Sequence, residues 1–60
     1  MPASSVAAAL RFLKEAAANL ADASTAIAGT DPDTSTKIDQ LLQGVSNEIK
    51  RLEPLLAGKT

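Results

Sequence analysis

Apolar residues recur along this chain in alternating steps of four and three. In the first half the series is Val6, Leu10, Leu13, Ala17, Leu20, Ser24 and Ile27. In the second half it is Ile38, Leu42, Val45, Ile49, Leu52 and Leu56. Steps of four and three bring side chains onto one stripe of an α-helix, the a and d positions of a heptad that packs along a partner helix. The pattern predicts two helices, each with one seam, and Ser24 is the only hydroxyl on either seam.

The residues between the seams predict where the helices begin and end. Ser4 or Ser5 is the expected N-cap of the first helix, since a serine oxygen accepts from the free amides of a first turn. From there to Ala28 the chain is rich in Ala, Leu, Lys and Glu, which favour helix, and Gly29 is expected to close it at the C′ position in a left-handed conformation. The first helix is therefore placed at about 4–28 and the turn at 29–31. Asp31 precedes Pro32, which biases it toward the extended geometry of an N-cap and puts the proline at N1, where its missing N–H is no loss. Asp33 or Thr34 would be the cap if the helix began later.

The second helix is expected over about 32–57, with Asp31 and Asp33 at its positive end and Lys50, Arg51 and Lys59 toward its negative end. Gly44 and Pro54 oppose it. Glycine in a helix interior costs about 1 kcal/mol relative to alanine. Pro54 crowds the carbonyl of Lys50, which predicts a kink or an early end near it. Both fall on the outer face of the heptad. Gly58 closes the chain.

So short a connection forces the helices antiparallel, and residues 1–60 form a single helical hairpin. Folding it about the turn pairs positions whose numbers sum to about 65. Ile27 then meets Ile38, Leu20 meets Val45, Leu13 meets Leu52, Leu10 meets Leu56, Ala17 meets Ile49, and Ser24 comes opposite Leu41 and Leu42. Lys14 and Glu53 flank one side as an exposed ion pair.

Composition changes this picture in one respect. A chain of 60 residues buries only about 60% of the surface its unfolded form exposes, and without cysteine or histidine it has neither a disulfide nor an ordinary zinc site to staple it. The remaining source of stability is association. Ala9, Ala16 and Ala23 form a second stripe beside the first seam, with Ala7, Ala21 and Ala28 on the other flank, and Leu41 and Leu55 widen the second seam. The fold class expected is all-α: an antiparallel two-helix hairpin assembling into a four-helix bundle, as a homodimer or higher homo-oligomer, or docking on the helices of another protein.

Charge and residue types then limit the chemistry. A net charge of −1 and a single aromatic residue, Phe12, argue against nucleic acid as a partner. No apolar run approaches the roughly 18 residues of a membrane span, and the opening residues lack the basic start of a secretory signal. The location expected is cytoplasmic, or within an assembled particle. A nucleophile would have to be a serine or threonine. Ser24, more than a turn from any lysine of its helix, reads instead as a small core residue whose hydroxyl bonds back to a helix carbonyl. Asp31 and Asp33 read as caps rather than a hydrolytic dyad or cation ligands. No catalytic residue, cofactor or metal site is assigned.

Phe12 stands at heptad position c, beside Arg11 and Glu15. It either contacts a partner or wraps onto the apolar face of its own bundle. With Leu41, Leu55, Ala9, Ala16 and Ala23 it makes up the expected interface with a partner or second subunit. Arg11, Lys14, Glu15, Asp22, Lys37, Asp39, Lys50 and Arg51 are mixed in sign and read as a solvated face. In shape alone the architecture is similar to the RNA-modulating plasmid proteins that dimerise as helical hairpins, without the basic and aromatic surface that such RNA binding uses. The proline-bearing turn at Pro32 resembles that of secretion-needle hairpins, without their second turn proline. The function expected is a small non-enzymatic adaptor, inhibitor or regulator acting by protein–protein interaction, the alternative being a structural or cement subunit of a virus particle or filament.

Overall fold

A computed structural model describes residues 3–56, and side-chain surroundings from Ser5 onward. Two helices of 25 residues each, α1 (Ala3–Ile27) and α2 (Pro32–Leu56), pack side by side as an antiparallel hairpin. Its principal extents are 46 × 14 × 13 Å, a rod of nearly square cross-section.

α1 already includes Ala3, so Ser4 and Ser5 lie within the first turn and neither is the N-cap; the position before Ala3 lies outside the described residues. Gly29 also behaves differently from expectation. Its φ is outside the left-handed region. The helix ends by sharing one acceptor instead: the carbonyl of Ile27 receives the amide of Thr30 at 2.9 Å and that of Asp31 at 2.8 Å. Bifurcation of this kind satisfies the end of a helix without a left-handed residue.

Asp31 serves both helices. Its amide closes α1, and its carbonyl accepts from Ser35 N at 3.1 Å, the first bond of α2. Its carboxylate caps α2: Oδ1 accepts from Thr34 N at 3.1 Å and Oδ2 from Thr34 Oγ1 at 2.7 Å. The Thr34 hydroxyl, then the Thr34 and Asp33 amides, hold the Asp31 carboxyl below its ordinary value of 3.8. Pro32 is the first residue of α2, where proline is tolerated best.

α2 continues through Pro54 to Leu56, so Pro54 does not end it early. A proline two residues before the last described helical position removes one late hydrogen bond, and it stands exposed. Lys50 and Arg51 fall just before the last turn; the expected end at Ala57, together with Gly58 and Lys59, lies outside the described residues.

The seam faces inward but does not make a dry core. Val6 and Leu10 are each 3% exposed, whereas Leu13, Leu20, Ile27, Ile38, Leu42, Val45, Ile49 and Leu52 are half-buried and Leu56 is exposed. No large side chain in the described structure is fully buried. Two helices touching along a line leave the outer flank of most seam residues open. The accessible surface of 4238 Å² exceeds the roughly 3,700 Å² of a compact monomer of this mass.

Candidate functional site

Two places on the hairpin concentrate more than ordinary packing. One is a polar layer near the turn; the other is an apolar face.

The polar layer joins Ser24 of α1 to Ser35 and Asp39 of α2. Ser24 and Ser35 are 7% and 9% exposed. Ser24 Oγ lies 2.6 Å from Asp39 Oδ1, 2.8 Å from Ser35 Oγ and 3.3 Å from the Ser35 carbonyl. One hydroxyl has one proton, and the short contact to a carboxylate is the stronger use of it. Ser24 therefore donates to Asp39. Ser35 donates in turn to Ser24 Oγ, with the Ser24 carbonyl at 3.2 Å as its second acceptor. Every buried side-chain oxygen and nitrogen among the described residues has a partner.

This corrects the expectation for Ser24. Its hydroxyl crosses to α2, about a turn before Leu41 and Leu42, instead of returning to its own helix. Ser35 was missed because it sits in the Ser/Thr/Asp cluster that reads as turn and cap. The available signal was its place three residues before Ile38, which puts it on the extended seam opposite the only seam hydroxyl of α1. Ser24 is buried, and among the described residues no pocket opens on it. Among the described residues no three His, Cys, Asp or Glu side chains gather as metal ligands.

The apolar face is fixed by an ion pair on the opposite side. Lys14 Nζ lies 3.3 Å from Glu53 Oε2, the pair the register predicts. Both residues occupy position e. In an antiparallel pair, e positions meeting on one side place the g positions of both helices together on the other. That second face carries Ala9, Ala16 and Ala23 from α1 and Leu41, Glu48 and Leu55 from α2, with Phe12, Asn19 and Ala26 of α1 and Lys37, Gly44 and Arg51 of α2 at its outer edges in position c. The six residues expected at an interface thus fall on one face.

Their exposure differs. Phe12 is 58%, Leu41 62% and Leu55 61% exposed, Ala23 is exposed, and Ala9 and Ala16 are half-buried. Phe12 does not wrap onto its own hairpin; the Arg11 guanidinium lies 5.0 Å from its ring centre and shields one side, a contact of about 0.5–1 kcal/mol in the open. Arg51 Nε stands 3.8 Å from Glu48 Oε1, and both side chains remain largely exposed. Scattered apolar residues are normal on a protein surface, but here three large ones flank an alanine stripe on one side of the rod as a discontinuous apolar patch, with Glu48 between Leu41 and Leu55.

Among the described residues no helix is long and apolar enough to cross a membrane. No family model, curated protein or solved structure matches the chain.

Proposed function

We propose that this chain is a small, non-enzymatic protein–protein interaction module, an adaptor, inhibitor or regulator that self-associates by helical packing into a four-helix bundle. One observation carries the reading: Phe12, Leu41 and Leu55 stand about 60% exposed on a single face while, of the large seam side chains of the described hairpin, only Val6 and Leu10 are buried. A second helical layer on that face removes both defects at once, since it covers the patch and seals the open flank of the seam. The contact residues are Phe12, Leu41, Leu55, Ala9, Ala16 and Ala23.

Sedimentation of the purified chain from low to high micromolar concentration tests the proposal. A discrete dimer in reversible exchange with monomer is the expected result. A well-folded monomer throughout overturns it. Rings or fibres replace the adaptor with a structural subunit of a larger assembly.

A further inference from the structure

Resting on that reading, we propose that the second copy packs with its turn at the same end, about a twofold axis parallel to the helices. The inference comes from what the g face presents at each level. Lys14 reaching Glu53, and Ser24 reaching Ser35 and Asp39, set a register that puts Ala9 level with Leu55, Ala16 with Glu48 and Ala23 with Leu41, to within a turn. Each level therefore holds one small residue on α1 and one long residue on α2.

A twofold axis along the rod lays α1 of one copy over α2 of the other at unchanged height. Ala9 then receives Leu55 of the second copy, Ala23 receives Leu41, and Ala16 receives the stem of Glu48. Small against large at every level is the arrangement that fills space between helices. At the outer edge Arg51 of the second copy comes over the Phe12 ring, a favourable cation on an aromatic face. The Glu48 carboxylate keeps Arg51 of its own chain beside it.

The other twofold axis, across the rod, lays each helix on its own copy. Alanine then meets alanine, leucine meets leucine, and Glu48 meets Glu48. Like charges directly opposed are destabilising, and the two contacts would demand different helix separations. The e face is a poorer candidate for either axis, because Lys14, Asp39 and Glu53 lie along it.

The size of the rod favours a full-length contact. One long face spans roughly 600 Å² in projection, against about 800 Å² of accessible surface per partner in a stable interface, so the full face only approaches what a stable dimer needs and an end-to-end or staggered contact would fall well short. A second copy in register uses the whole face.

Because the chain has no cysteine, Thr30→Cys offers a single site for a spin label at the exposed turn. Electron–electron dipolar spectroscopy of the labelled dimer then reads the arrangement. Turns at the same end place the labels roughly 15–25 Å apart, given helix separations of 8–10 Å and the label arms. Turns at opposite ends place them about 40 Å apart, from the fourteen residues between Ala16 and Thr30 at 1.5 Å each, counted twice. The short distance is expected; the long one overturns this arrangement while leaving self-association intact. A monomer by sedimentation overturns the proposed function itself. The face is read separately by Leu41→Glu and Ala21→Glu, both at exposed positions, with helicity checked by circular dichroism. Leu41→Glu should weaken dimerisation at least tenfold and Ala21→Glu less than twofold; the reverse order overturns the assignment of the face.

Discussion

Replacing Ser24 by alanine tests whether the polar layer holds the hairpin together at its turn. The substitution removes a hydroxyl that donates to Asp39 at 2.6 Å and accepts from Ser35 at 2.8 Å. A hydrogen bond to a charged group contributes about 1.5–3 kcal/mol, but Asp39 is exposed and water replaces the lost donor, so the lower part of that range applies. Ser35 retains the Ser24 carbonyl at 3.2 Å, which limits the second loss. The expected destabilisation is about 1–2 kcal/mol, a fall in Tm of roughly 8–16 °C for a domain of this size. Ser35→Ala removes one donor and should cost about 0.5–1.5 kcal/mol. The double variant leaves two methyl groups facing each other with no unpaired hydroxyl, so its cost should fall short of the sum by about 0.5–1 kcal/mol. Urea denaturation followed at 222 nm, at one fixed protein concentration, measures all three. An unchanged Ser24→Ala midpoint, or a double variant equal to the sum, would refute the layer as a coupled unit.

Two further outcomes follow from single residues. Gly44 lies in α2 with open space around the position a Cβ would take and a φ outside the left-handed region. Gly44→Ala should therefore raise stability by about 1 kcal/mol, read as a higher urea midpoint; a lower one would show that the glycine is needed for close approach. The Asp31 carboxyl titrates below its ordinary value of 3.8 in the folded chain. The unfolded chain thus takes up its proton first as pH falls, so the contribution of this cap is complete above that value and is lost as pH drops through the lowered one. Asp31→Asn, which keeps a capping oxygen, should flatten this part of the stability profile below about pH 4, and an unaltered profile would contradict the assignment.

How much of this was legible in the sequence depends on the kind of feature. The seam was, because helix periodicity is local and Val6, Leu10 and Ile38 state it directly. The Lys14–Glu53 contact was also legible, since a short turn and a heptad together leave one register. The flank residues Phe12, Leu41 and Leu55 could be placed off the seam by counting, and their exposure follows from that count. Ser35 was not legible as a core residue, because its side chain suits a cap as well as a core, and only the approach of Ser24 decides between them. Gly29 misled for a related reason. Glycine permits a left-handed helix end but does not require one, and here the carbonyl of Ile27, taking two amides, closes α1 instead. Start and stop signals compete over about 1 kcal/mol at helix ends, whereas the seam sums over a whole helix.

The central claim is that the missing half of the core comes from a second chain. Thermal melting across a hundredfold range of protein concentration tests it most directly. If folding and dimerisation are coupled, that range adds about 2.7 kcal/mol to the stability of the dimer. With an unfolding entropy of about 2.1 cal/mol/K per residue over both chains, Tm should rise by roughly 10 °C. A cooperative melt whose midpoint does not move with concentration would contradict the account.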